Sequence, residues 1–371
     1  MPMTLNPVFD LSEIAAPPAA NPSRFKDAQP LAINGLFGWL HADHRVGAGD
    51  VAVLICGALS REALDSHHSL RVMADAFAAA GYPTMRFDYL GTGDSCDIGE
   101  TNDSSGAHWT IWQQNIHAAA DHLRDRTGAK RLILCGLRIG ATLAALAAQS
   151  RDDVAGLILL APVLRGRSYL SQLRMEGDLA HGKSAAKAGG LEFHELCLDA
   201  DSVDAISEVD LRRVPLARTV KAAIFSQAPS RPLTECVTGW RALGLAVDSF
   251  PFDGLEPLLC PDTQGYKEPA ATDVIVGWMQ NAIPPQHHPA GFSMGDNHSR
   301  LAAPGWVETA WQFGPQQRLF GIVCQPDGRK NETAVIIVNT GRNPRTGVGR
   351  FGVEFARRLA REGVTSLRFD F

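Results

Sequence analysis

The chain has 371 residues, 45% of them hydrophobic and 20% charged, with 35 basic against 40 acidic side chains and a formal net charge of −5. This is ordinary globular composition with room for a large core and more than one domain, and it lacks the basic block that nucleic acid or an anionic membrane surface requires. The longest apolar run, residues 155–164, is too short to span a bilayer.

Residues 1–21 have neither a basic start nor a continuous apolar stretch, so no signal peptide is expected. The seven cysteines are scattered with no C-x-x-C, which points away from zinc and disulfides and toward a reduced, cytoplasmic setting. Residues 1–30, rich in proline and alanine, read as a loose lead-in. Residues 31–40 predict two short strands joined by a turn. Residues 51–56 (V-A-V-L-I-C) predict a buried parallel strand, followed by a loop over 57–65 and a helix over 69–80 that Gly81 stops. His67-His68 falls on the loop or helix entry; one of the two can be placed near a pocket mouth, and an exposed polar pair is the favoured reading. Residues 84–89 predict the next strand, running into the turn Gly91-Thr92-Gly93-Asp94-Ser95, and residues 109–126 a helix with Trp112, Ile116, Ala119 and Leu123 on one face.

Residues 131–149 form the most informative stretch. Arg131 to Cys135 predicts a buried strand, Gly136-Leu137-Arg138-Ile139-Gly140 a turn with glycine on both sides, and residues 141–149 a helix apolar almost all round. Another buried strand is expected over 154–163. Strand and helix thus alternate, which argues for an α/β fold with a parallel sheet. Residues 165–214 are more polar and read as an insertion over the carboxyl end of that sheet. Strands are expected at 220–225 and 246–252, helices at 233–243 and 272–281, and a linker over 284–304 in which His287-His288 is only linker composition.

The sequence then repeats itself. Leu319-Phe320-Gly321 matches Leu36-Phe37-Gly38, Ala334-Val335-Ile336-Ile337 matches Ala52-Val53-Leu54-Ile55, and Leu367-Arg368-Phe369-Asp370-Phe371 matches Met85-Arg86-Phe87-Asp88-Tyr89. The spacings agree to within a residue, which predicts an incomplete second copy over 305–371 that stops one strand short of its own glycine-flanked turn.

A strand, a sharp Gly-x-X-x-Gly turn and a helix make up a nucleophile elbow. With the F-D-Y-L-G-T-G-D-S turn and the strand order, residues 32–283 resemble the α/β-hydrolase superfamily. Pro162-Val163 followed by Gly166-Arg167-Ser168-Tyr169-Leu170 makes the chain similar to bacterial hydrolases associated with exosortase and exopolysaccharide loci. The resemblance implies a mostly parallel doubly wound sheet in the order 1-2-4-3-5-6-7-8 and a triad in the chain order Ser, acid, His. Each triad position has departed. The nucleophile position holds Arg138, whose guanidinium stays protonated and has no acceptor. Ser226-Gln227-Ala228-Pro229 holds no carboxylate, and residues 254–268 hold no histidine.

The resulting expectation is a hydrolase homologue without acyl-enzyme chemistry and without a cofactor, binding a small anionic or glycan-derived ligand or acting as a regulatory half in exopolysaccharide metabolism. Arg138 and Ile139 at the helix amino end, with the Ala58 and Leu59 amides, would form the anion pocket. The structural alternative is that Arg138 pairs with a carboxylate such as Asp88 or Asp94. Two other functions stay open: an active ester or acyl hydrolase using other residues, and an NAD(P)-binding module at Gly347-Val348-Gly349-Arg350-Phe351-Gly352 with Asp370 at fingerprint spacing. Self-association through an exposed strand of the incomplete copy is also expected.

Overall fold

The computed structural model describes residues 28–43, 49–100, 106–181, 189–193, 196–259, 271–286, 299–339 and 343–370. His287-His288 and most of the 254–268 stretch lie outside them. Two strands, β1 (Ala28–Ile33) and β2 (Leu36–His41), form an antiparallel hairpin. Their turn, Asn34-Gly35, holds both residues at positive φ (47° and 85°), the conformation that fits strand twist and suits this pair. Then come β3 (Val51–Cys56), α1 (Arg61–Ala79), β4 (Thr84–Phe87), α2 (His108–Thr127), β5 (Arg131–Leu137), α3 (Ile139–Ala147) and β6 (Val154–Leu160). A second stretch holds α4 (Gly166–His181), the hairpin of β7 (Leu191–Phe193) and β8 (Leu196–Leu198), and α5 (Ala200–Glu208). The unit closes with β9 (Lys221–Ser226), α6 (Arg231–Ala242), β10 (Ala246–Pro251), α7 (Leu255–Leu259) and α8 (Ala271–Ala282).

The main sheet has eight strands in the order β1-β2-β4-β3-β5-β6-β9-β10, parallel from β4 onward. This is the order that the resemblance implies. All six residues of β3 are buried, and successive side chains serve opposite faces. Ala52, Leu54 and Cys56 join the core with Trp112, Ile116 and Leu123 of α2, while Val51, Val53 and Ile55 pack with Met73 and Phe77 of α1 and Ile275 and Met279 of α8. A parallel sheet must be covered on both faces, and here it is.

Three boundaries differ from the sequence expectation. Helix α1 begins at Arg61, eight residues early, because Arg61-Glu62-Ala63-Leu64 are good helix formers even without a continuous apolar stripe. His67 and His68 are therefore within the helix. Strand β6 stops at Leu160, where Ala161 turns to φ 44° and Pro162 follows. The C-terminal sheet opens at Arg300, inside the stretch expected as linker. Residues 165–214 are more regular than their composition suggests. They also cap α2: Asp199 Oδ2 accepts from the His108 amide and Ser202 Oγ from the Trp109 amide, each at 3.0 Å.

The C-terminal part is a second sheet: β11 (Arg300–Ala303), β12 (Trp306–Phe313), β13 (Leu319–Gln325), β14 (Ala334–Ile337) and β15 (Thr365–Asp370), with α9 (Phe351–Arg361) against it. Its order is β11-β12-β13-β15-β14. The pairs β12–β13 and β13–β15 are antiparallel and β14–β15 is parallel, the same senses as β1–β2, β2–β4 and β3–β4. Gly321 faces Phe369 as Gly38 faces Phe87. A Cβ would lie 2.7 Å from the Arg368 carbonyl oxygen at the first glycine and 2.9 Å from that of Arg86 at the second, so both sites exclude a side chain.

Candidate functional site

The turn after β5 keeps the strained geometry of an elbow. Arg138 sits at φ 55°, ψ −120°, a conformation that L-residues rarely hold. Both flanking glycines are sterically required. A Cβ at Gly136 would come within 2.3 Å of the Ala141 Cα, and one at Gly140 within 2.1 Å of the Gly57 carbonyl oxygen. The Arg138 amide donates to the Leu160 carbonyl at 2.9 Å, which fixes the turn against β6. An elbow after the fifth strand of this sheet order decides the architecture. The fold is that of an α/β hydrolase.

The comparisons with known proteins agree at that level. The family profile described as "Serine aminopeptidase, S33" matches residues 65–221, less than half of the chain. Est1E from Butyrivibrio proteoclasticus, solved with ferulic acid, is 15% identical with a TM-score of 0.47, covering 68% of this chain and 98% of its own. A serine hydrolase without lid from Xanthomonas campestris is 16% identical with a TM-score of 0.42, over 71% of this chain and 96% of its own. A thermostable carboxyl esterase from Bacillus coagulans, in complex with glycerol, is 12% identical with a TM-score of 0.49, over 69% and 99%. Likeness at these levels says nothing of what this chain does. No curated protein matches it. Among the described residues no helix is long and apolar enough to cross a membrane.

In the hydrolase unit, Arg138 Nε donates to Glu62 Oε1 at 2.7 Å and Nη1 to the Ala161 carbonyl at 3.2 Å. The carboxylate partner is Glu62 of α1, not Asp88 or Asp94. Both side chains are largely buried, at 18% and 27% exposure, so the pair neutralises the nucleophile position. Ile139 and Leu59 are buried, and Ala58 borders a neighbouring cavity. The turn after β9 carries Ser226-Gln227-Ala228, and no described histidine stands at the elbow.

That neighbouring cavity, of about 350 Å³, opens between the loop after β3, the loop after β4 and residues 344–350. His67, Arg86 and Asp88 line it, with Trp39, Tyr89 and Trp112 among its walls. The sequence offers one of His67-His68 for a pocket mouth but favours an exposed polar pair; the structure places His67 in the cavity lining. The available signal was its spacing with Leu64 and Leu70, which share its helix face and also border the cavity.

The C-terminal unit is fastened to the loop after β4 by five arginines. Arg345 and Arg368 both donate to Asp94. Arg357 donates to the Asp94 and Ser95 carbonyls at 2.9 and 3.0 Å, and Arg350 to the Gly93 carbonyl at 3.0 Å and to Asp97 at 2.5 Å. Arg361 meets Glu100 at 2.5 Å. Glu308 accepts from Arg357 at 2.9 Å and from Arg368 at 2.8 Å. Burial pushes the Asp94 carboxyl up, but Arg345 and Arg368 outweigh it and hold the group near 2. Burial likewise opposes ionisation of Glu308, and Arg368 and Arg357 again prevail.

The glycine motif at 347–352 serves this fastening. Gly347 and Gly349 hold φ 73° and 61°, and a Cβ at Gly352 would lie 2.5 Å from the Arg345 carbonyl oxygen. The turn thereby delivers Arg350 onto the loop after β4. Asp370, the acidic residue at fingerprint spacing, accepts from the Arg345 amide at 2.7 Å and from its Nη1 at 2.6 Å. That commitment leaves the dinucleotide reading without its ribose ligand.

Proposed function

We propose that the chain is a non-catalytic α/β-hydrolase homologue that binds a small ligand or regulates a partner in exopolysaccharide metabolism. The observation that carries this is the elbow itself. Its backbone retains the strained presentation, yet the presented side chain is a cation bonded to Glu62 at 2.7 Å. Acyl transfer needs a nucleophile with an adjacent base oriented by a third group. Here the first is replaced, and neither of the others stands in its place in the sequence. The C-terminal sheet, with the pairing senses of β1 to β4 and the same glycine opposite the same phenylalanine, supports reading it as a second copy of the first half of the fold. The free edge of β14, where Ile336 is exposed, supports self-association through that copy. Buried, unpaired Cys56, Cys135 and Cys324 suit a reducing, cytoplasmic compartment.

The test is hydrolysis of short-chain p-nitrophenyl esters by the full chain. The reading expects turnover at the buffer rate, and saturable turnover well above it would refute the reading.

A further inference from the structure

We propose that the cavity between the hydrolase unit and the C-terminal unit binds a small carboxylic acid bearing hydroxyl groups on a ring. This deepens the ligand-binding reading above and rests on it, but it seats the ligand away from the elbow.

Arg86 lies on β4 and lines the cavity. Its Nε donates to His41 Nε2 at 3.0 Å, and the guanidinium carbon lies 5.6 Å from the Trp39 ring centroid. His41 Nδ1 is 2.7 Å from Asp75 Oδ1, so the imidazole donates there and accepts from Arg86 through its other nitrogen. Burial lowers His41 to about 4, which keeps that acceptor lone pair in place at neutral pH. This relay orients the guanidinium by one nitrogen. No carboxylate among the described residues forms an ion pair with it, although burial lowers Arg86 to about 10. Arg71 adds further positive potential, and its own Nε is buried without a partner. A half-buried cation lining the cavity with its forked face uncommitted suits a planar carboxylate, which it can bind through two parallel hydrogen bonds.

The rest of the lining selects the ligand further. His67 has no hydrogen-bond partner among the described residues. Burial and the nearby Arg86 keep it neutral, so it offers one donor and one acceptor. Asp88 uses Oδ2 to accept from the Asp94 amide at 2.9 Å. Burial and the Asp94 charge push its carboxyl up to about 6, so at neutral pH it is mostly an anion facing the same space. A dianion would be repelled there, whereas a monoanion with hydroxyl donors would be held. Trp39, Tyr89 and Trp112 supply flat walls on which a ring can lie, and about 350 Å³ accommodates one ring with substituents but not a polymer.

Two ring chemistries share this description, a sugar acid and a hydroxylated aromatic acid, and calorimetry on the full chain separates them. The probes are glucuronate and 4-hydroxybenzoate, their neutral counterparts glucose and 4-hydroxybenzyl alcohol, and inorganic phosphate. At least one acid should bind, with its neutral counterpart and phosphate at least tenfold weaker. Arg86→Gln should weaken that acid at least tenfold and His67→Ala several-fold. His67 makes no hydrogen bond among the described residues, so its variant reports even if Arg86→Gln does not fold. The proposal is overturned if neither acid binds, if binding survives both substitutions, or if Arg138→Ala abolishes it while these two do not. That last result would seat the ligand at the elbow and leave the broader ligand-binding reading standing. Ester turnover is measured separately, so a failure of this proposal and a failure of the non-catalytic reading give different signatures.

Discussion

Arg138 Nε and Glu62 Oε1 meet at 2.7 Å, one from the turn after β5 and the other from the first turn of α1. The pair fills the place where a hydrolase of this fold presents its nucleophile, on a turn that keeps the strained φ/ψ of an elbow. Arg138→Ser should therefore not restore ester hydrolysis, because no described histidine is placed to take the hydroxyl proton. Both side chains are largely buried and Glu62 Oε2 has no partner among the described residues, so losing Arg138 leaves the carboxylate uncompensated and should cost about 1–3 kcal/mol. Kinetics and thermal unfolding of this variant check both statements. A burst of acyl-enzyme in Arg138→Ser would show that a hidden base exists.

Asp94 sits between Arg345 and Arg368, all three almost fully buried. Removing one partner from such a cluster leaves uncompensated buried charge and costs about 3–5 kcal/mol. Asp94→Asn should release the C-terminal unit, so that limited proteolysis cuts within residues 283–304 and leaves the hydrolase unit intact. If the variant resists protease as the wild type does, the arginine cluster does not fasten the two units.

The pH dependence follows from groups with opposite signs. His41, lowered from 6.5 to about 4, and His67, lowered well below its ordinary value, stay neutral in the fold while the unfolded chain takes up protons. Their stability contribution is present above about 6.5 and lost as pH falls toward 4. Asp94 and Glu308, both lowered, contribute fully above the ordinary carboxylate range and lose that contribution as pH falls through their folded values. Asp88, raised to about 6, works the other way: its contribution is present below the ordinary carboxylate value and lost as pH rises through 6. Denaturant unfolding should thus show stability falling from pH 6.5 to 4 and more steeply below. Asp88→Asn should steepen the change between 4 and 6. A flat profile over pH 3 to 7 would contradict these assignments.

Much of this architecture was legible in the sequence. β3 and residues 132–137 of β5 are unbroken apolar runs, and the glycines around Arg138 mark a turn that only they can make. The start of α1 was hidden because Arg61 to Ser66 follow no clear apolar period, and the placement of His67 was lost with it. The fastening was hidden for a different reason. Arg345 and Asp94 are 251 residues apart and Arg368 and Asp94 274, so no local pattern records that they meet. The sequence showed Asp370 at a spacing that suggested ribose, and only the fold shows it bonded to Arg345.

The edge of β14 gives a further prediction. Ile336 is 60% exposed on this strand, and Phe351 and Phe355 are exposed on α9. An apolar edge strand is a template for pairing with another chain. Sedimentation should show concentration-dependent association that Ile336→Lys suppresses. Equal association of the two proteins would place the contact elsewhere.

The most direct measurement of the central claim is the intact mass of the full chain after incubation with a fluorophosphonate probe, alongside an active serine esterase as control. The non-catalytic reading predicts an unchanged mass for this chain while the control is fully modified. A stoichiometric adduct that heat denaturation abolishes would contradict the account, and peptide mapping would name the nucleophile.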